Sequence, residues 1–229
     1  MVEKHVLYEV KGHVAVITLN RPKAKNAFSS EMIKLWRECL EKAKADDNVR
    51  AIVVTGKGDT FCSGGDIRDM ADGKLKSWDM KRFLWDGVHR IVLTLEDLDK
   101  PVIAAINGAA MGAGMDMAIM CDLRVCSDRA KLAESYIMMG LIPGDGGAYF
   151  LPRLTGVSKA LELLLTGDVL TPEEALKMGI VNRVVPHEIL MKETMKLAEK
   201  IAGRPPIAVR MMKRAVYQGL TSTLKSHLD

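Results

Sequence analysis

The run NGAAMGAGMD, Asn107 to Asp116, places small residues where a helix should begin and sets a carboxylate one turn in. A helix start leaves backbone N–H groups without partners, and the peptide dipoles make that end electropositive, so an oxygen gaining negative charge is stabilised there. Gly112, Ala113 and Gly114 would let a ligand approach that backbone closely. A second glycine-rich turn, FCSGGD from Phe61 to Asp66, supplies another amide. Two such donors make an oxyanion hole, and losing one donor from a site of this kind typically lowers the rate by ~10²–10³.

The elements around these turns alternate in period. His5 to Val10 and His13 to Leu19 read as a hairpin about Lys11-Gly12, and Arg21 to Ala27 as an exposed basic loop. Ser29 or Ser30 can cap a helix reaching about Ala45, and Ala51 to Thr55 is a short β-branched strand feeding the first glycine turn. A helix from Ser77 to about Leu98 stops before Pro101, and the apolar strand Val102 to Ile106 ends at the second turn. Leu123 to Cys126 and Asn182 to Val185 read as short strands, and Thr171-Pro172-Glu173-Glu174 carries the signals of a helix start. From His187 the pattern is helical, broken at Arg204-Pro205-Pro206, and Ile207 to Asp229 is an amphipathic appendage of the kind that packs on a partner subunit. Strands alternating with helices indicate an α/β core.

Composition narrows the classes. With 229 residues, 48% hydrophobic and 27% charged, the chain suits one main domain with a sizeable core. A net charge of +4 is too mild to imply nucleic acid. Cys39, Cys62, Cys121 and Cys126 form no C-x-x-C pair, so they read as reduced, buried thiols rather than a zinc site or disulfide framework. No stretch approaches the ~20 apolar residues of a membrane span, and a cytosolic (cytoplasmic) protein is expected. The five histidines fall in none of the motifs, which leaves a histidine base or a metal site without support.

Taken together, LNRPKAKNAF at 19–28, FCSGGDI at 61–67, NGAAMGAGMD at 107–116 and IPGDGG at 142–147 resemble the crotonase family of enoyl-CoA hydratases and isomerases, in order and spacing. The resemblance implies an α/β spiral of ββα units over residues 1–186. It also implies a C-terminal helical trimerisation region over 187–229 that stops short of typical members. It implies an acyl-CoA substrate with no cofactor beyond coenzyme A, a homotrimer or a hexamer of two trimers, and no nucleic-acid or membrane partner. The thioester carbonyl would lie between the N–H groups of Gly65 and Ala113. Lys23, Lys25, Ala27, Ser63, Asp66, Ile67, Arg68 and Gly112 would contact the acyl-CoA. Polarising that carbonyl acidifies the α carbon, so hydration, isomerisation and decarboxylation share one enolate.

Hydratases of the family hold a water between two glutamates. Asp116 occupies the first position, one methylene shorter, and Tyr136 the second, seven residues before the proline of IPGDGG. A phenol is a poor base at neutral pH but a competent proton donor. Asp145 is a candidate replacement acid, Glu134 is expected to point elsewhere, Asp66 to cap the helix after the first turn, and Asp122 to pair with Arg124. The leading expectation is therefore water addition to, or a shift of, a double bond conjugated to a CoA thioester. Dienoyl-CoA isomerisation and decarboxylation are alternatives on the same scaffold. A further alternative is RNA binding through Lys192, Lys196, Lys200, Arg204, Arg210, Lys213 and Arg214. The G-x-G-x-x-G fingerprint fails at Met117, which disfavours a nicotinamide dehydrogenase.

Overall fold

The opening hairpin forms as strands β1 (Val6–Lys11) and β2 (Val14–Leu19), antiparallel and paired from Val6–Leu19 to Lys11–Val14. Helix α1 (Ser30–Ala45) follows, its first turn capped by Ser29, whose hydroxyl accepts from the Met32 N–H. The structure is a computed structural model and describes residues 4–66 and 77–228.

The chain then repeats this unit. β3 (Ala51–Gly56) and β4 (Thr60–Cys62) precede the helical stretch made of α2 (Ser77–Arg82), a π-helical segment (Phe83–Val88) and α3 (His89–Glu96). β5 (Val102–Ile106) and β6 (Ala109–Met111) precede α4 (Ala113–Ile119), and β7 (Leu123–Ser127) and β8 (Leu132–Ala133) precede a 3₁₀ turn, Ser135–Met139. The first strand of each unit joins a six-stranded sheet in the order β1-β2-β3-β5-β7-β9, parallel beyond the hairpin and closed by β9 (Arg183–Val185). From the second unit onward, the second strand joins a three-stranded parallel sheet, β4-β6-β8. This is the ββα spiral that the sequence motifs imply.

The glycine-rich runs, read from sequence as turns alone, therefore also contain the strands of the small sheet. The helices α5 (Gly147–Thr155) and α6 (Val157–Thr166) had no sequence reading and are new here. The expected capping box appears at α7 (Pro172–Lys177), where Thr171 accepts from the Glu174 N–H and Glu174 accepts from the Thr171 N–H.

Period-two alternation divides the large sheet between two cores. Ile17, Ile52, Val54 and Ala104 face α1, whose Trp36 and Leu40 are fully buried. Val16, Val53, Ile103 and Ala105 face the opposite side, where helix α8 (Leu190–Ala202) lays down Leu190, Ala198 and Ala202. Buried on both sides, the central strands are continuously apolar.

Two polar anchors were not legible as such. Lys100 is fully buried, and its Nζ donates to the carbonyls of Ala43, Lys44 and Asp46 at 2.8, 3.0 and 2.7 Å, satisfying the open end of α1. Asp122 does not take Arg124 as its hydrogen-bonded partner. Asp122 accepts from Val102 N, Lys213 Nζ and Tyr217 Oη, the latter two on α9 (Pro206–Gly219), whereas Arg124 donates to the carbonyls of Ile180, Ile119 and Cys121. Asp122 stands just before β7 and Arg124 within it, and each satisfies unpaired backbone nearest to it. Lys213 is thereby withdrawn from the basic face that the RNA-binding alternative needs.

Replacing Lys100 with methionine removes three hydrogen bonds while leaving the carbonyls in place. The expected loss is about 1–3 kcal/mol of folding stability, measured as a lower denaturant midpoint at unchanged slope.

Candidate active site

The two glycine-rich runs meet because glycine lets backbones nearly touch. A Cβ on Gly114 would stand 2.0 Å from the Cys62 carbonyl oxygen, so α4 can seat on β4 only without one. A Cβ on Gly64 would lie 2.9 Å from the Met111 carbonyl and 3.4 Å from the Ala113 nitrogen, which puts the two loops side by side. The Phe28 N–H donates to the Gly64 carbonyl at 2.8 Å, and Phe28 and Gly65 form a parallel bridge. In that pattern the flanking groups of Gly65 face Phe28 and its own N–H faces the opposite way. Ala113 is the first residue of α4, where an N–H has no partner within the helix. Gly112 before it has φ +50 and ψ −120, a conformation reserved for glycine, and its N–H is pinned to the Ala133 carbonyl at 2.8 Å.

The loop 21–27 is stitched to the first turn. Asn26, fully buried at φ +52, donates to the carbonyls of Thr60 and Lys57, and its side-chain oxygen accepts from the Arg21 N–H. The Ser63 N–H donates to the Lys25 carbonyl at 3.1 Å. Lys23 and Lys25 remain exposed, but Asn26 and Ala27 are buried, which corrects the reading of this segment as wholly exposed. Asp66 is turned back to Arg21, 3.3 Å away. The helix it was expected to cap, together with Ile67 and Arg68, lies outside the described residues.

Beyond the amides lies a buried acid cluster. Asp116, in the first turn of α4, is fully buried, Asp145 is 4% exposed and Glu134 1%. The Tyr136 hydroxyl lies 2.6 Å from Asp116 Oδ2 and 3.1 Å from Asp145 Oδ2. A phenol carries one proton and can donate to only one of them, so the second contact requires a carboxylic acid donating to the phenol oxygen. The shorter contact, of charge-assisted length, favours Asp116 as the carboxylate that takes the phenol proton. Burial raises the affinity of all four groups for protons. In Asp116 it is opposed by hydrogen bonds from Tyr136, Glu134 and the Gly147 N–H, in Asp145 by the Tyr136 hydrogen bond and electrostatically by His89, while in Tyr136 and Glu134 the Asp116 charge adds to it.

Asp116, Tyr136 and Asp145 are thus brought together as the sequence expects. Glu134 was expected to point away and does not; the turn from β8 into the 3₁₀ segment directs it at Asp116. His89 also reaches the site, its Nε2 donating to the Gly144 carbonyl at 2.7 Å. Neither residue stands in a motif, so only the packing of α3 and β8 around the loop 142–147 could reveal them.

Two glycine-rich turns with backbone N–H groups beside a buried carboxyl cluster are an arrangement chemically suited to stabilising an enolate and moving protons beside it. Residues 9–229 match the profile of the enoyl-CoA hydratase/isomerase family. The chain is 36% identical over 225 residues to a short-chain-enoyl-CoA hydratase of Clostridium acetobutylicum, covering 98% of this chain and 85% of that protein. It is 35% identical over 225 residues to the 1,2-epoxyphenylacetyl-CoA isomerase of Escherichia coli, covering 98% and 86%. The structure superposes on that of an enoyl-CoA hydratase from Bacillus anthracis with a TM-score of 0.94 at 34% identity, covering 98% of this chain and 86% of that one. The chain belongs to the enoyl-CoA hydratase/isomerase family and is an enzyme of that hydratase or isomerase type.

Gly112→Ala forces a side chain into a glycine-only conformation and shifts the Ala113 amide. The expected outcome is a fall in kcat of ~10²–10³ with the fold retained, checked by steady-state kinetics beside circular dichroism.

Proposed function

We propose that this enzyme binds an enoyl thioester of coenzyme A with its carbonyl between the Gly65 and Ala113 N–H groups and moves a proton to shift the double bond. The observation that carries this reading is the phenol of Tyr136 bridging two buried carboxyl groups at unequal distances, which suits one of them ionised and the other protonated. Asp116, ionised, takes a proton from the carbon acidified by the cradled thioester. The enolate charge is held by the two amides. Asp145, neutral, supplies a proton further along the acyl chain. Tyr136 lies between them, so the proton gained by Asp116 can pass through the hydroxyl and restore the starting state. A double-bond shift needs no co-reactant and uses both carboxyl groups as found.

Hydration is the second reading, supported by the hydratase at 36% identity. There Asp116 would activate a water and the Tyr136–Asp145 pair would deliver the α proton. Lys23 and Lys25, exposed on the loop bonded to the first glycine turn, suit the phosphates of the nucleotide.

The same reading includes a homo-oligomer, of which a trimer is the expected form. Met138, Met139, Leu141 and Ile142 are exposed, Ile142 at 84%, and Val157, Leu161 and Leu165 on α6 are exposed too. Gly167, just past α6, packs on Ile137 and Met138, which joins the two groups into one apolar surface. A surface of that kind on a chain of this size is covered by another subunit.

Following 3-enoyl-CoA, 2,4-dienoyl-CoA and crotonyl-CoA by absorbance and product analysis separates the reactions, and silence with all of them sinks the reading. Asp116→Asn is expected to lower kcat by ~10²–10⁴, and Asp145→Asn by less. Sedimentation should return a trimer mass for the wild type and a smaller species for Leu161→Asp.

A further inference from the structure

Glu134 is a buried carboxyl group that the proposed reaction does not use. It follows the two-residue strand β8, held in register where the Gly112 N–H donates to the Ala133 carbonyl, so its position is tied to the same glycine that sets the Ala113 amide. Apart from the Gly147 N–H, which is turned toward Asp116, no donor among the described residues reaches Asp116 Oδ1 or, counted as anions, the two Glu134 oxygens. Their closeness is built in by Gly147. A Cβ there would stand 2.2 Å from Asp116 Oδ1 and 3.0 and 3.1 Å from the Glu134 oxygens, so any other residue would part the two carboxyl groups. Two carboxyl groups crowded against the same glycine in a buried site share a proton, since like charges there cannot both persist. The ionisable groups turned toward this cluster among the described residues are Asp116 on α4, Tyr136 on the 3₁₀ turn, Asp145 in the following loop, and Cys62 on β4 and His89 on α3 beside Asp145.

We infer that Glu134 is a positioning residue that stays a neutral carboxylic acid, donates its proton to Asp116 Oδ1 and holds that carboxylate ionised and aimed at the reacting carbons. Asp116 then receives hydrogen bonds from Glu134 and Tyr136 beside the Gly147 N–H, whereas Asp145 has the shared phenol and the neighbouring His89, which leaves Asp116 the better-supplied anion although it is the most buried of the three. The inference rests on Asp116 being the base, but the state of Glu134 can be read without turnover.

Infrared difference spectra of the free enzyme at pH 7 should contain a carboxylic-acid C=O band that disappears in Glu134→Gln. Because a protonated Asp145 contributes such a band to both proteins, the readout is the difference between them: equal carboxylic-acid absorbance in the wild type and Glu134→Gln overturns the inference whatever the enzyme does with substrate. Stability supplies a second arm. Burial beside Asp116 lifts the Glu134 carboxyl from its ordinary 4.5 to about 10, so between those values the folded protein binds a proton that the unfolded chain has released. Stability therefore falls as pH rises through that window. Glu134→Gln, which cannot ionise, should melt above the wild type by a margin widening from about pH 5 to pH 8. A constant or reversed margin counts against a retained proton.

Kinetics then separate positioning from packing. Glu134→Gln keeps an N–H donor to Asp116 and should retain kcat within about fivefold. Glu134→Leu loses the donor and should leave KM unchanged while moving the acidic limb of kcat up by about 1–2 pH units, the value of one hydrogen bond to a charged group. A leucine variant with the wild-type pH profile refutes the assignment. If the wild type turns over no acyl-CoA, the functional reading fails while the spectroscopic and melting arms still decide the state of Glu134.

Discussion

Three carboxyl groups and a phenol can be buried together only if they keep protons between them. In this protein the carboxyl groups of Asp116, Glu134 and Asp145 are buried around the half-buried Tyr136, and most of the donors they use are each other's hydrogens. On the proposed reading that constraint sorts them into one anion and several neutral acids. The sorting is what acid–base chemistry beside an enolate needs, because a base and an acid must coexist at one pH.

The scaffold serves that cluster by bringing backbones into contact. Successive ββα units set β4, β6 and β8 side by side, and each strand ends at a component of the site: the Gly64–Gly65 turn, the start of α4, and Glu134 with the Tyr136 turn. Gly64, Gly114 and Gly147 stand where a Cβ would collide with the opposing chain. The anchors of the fold are likewise side chains closing exposed backbone ends, Lys100 on α1 and Asp122 on Val102. They hold α1 and α9 against the sheet without entering the chemistry.

Several parts of this were legible in the chain. The hairpin, α1 with its serine cap, the apolar strands Val102–Ile106 and Leu123–Ser127, and the capping box at Thr171 all rest on local periodicity or local hydrogen bonding, which neighbours in sequence decide. The two glycine-rich runs were legible because glycine in such a pattern signals a close approach. The strands within them escaped notice because two or three residues are too few to show a period, and α5 and α6 lay between motifs that drew the reading elsewhere.

What the sequence by itself determined is the family, the α/β spiral and the choice of Asp116, Tyr136 and Asp145 as candidates, since these follow from residue types at fixed spacing. Only the tertiary structure decided that Glu134 faces Asp116, that His89 reaches Gly144, and that Asp122 and Arg124 serve different partners. The reason is physical. Where a side chain points at the end of a two-residue strand, and which protons a buried cluster retains, depend on groups tens of residues away that become neighbours only after the sheets have closed.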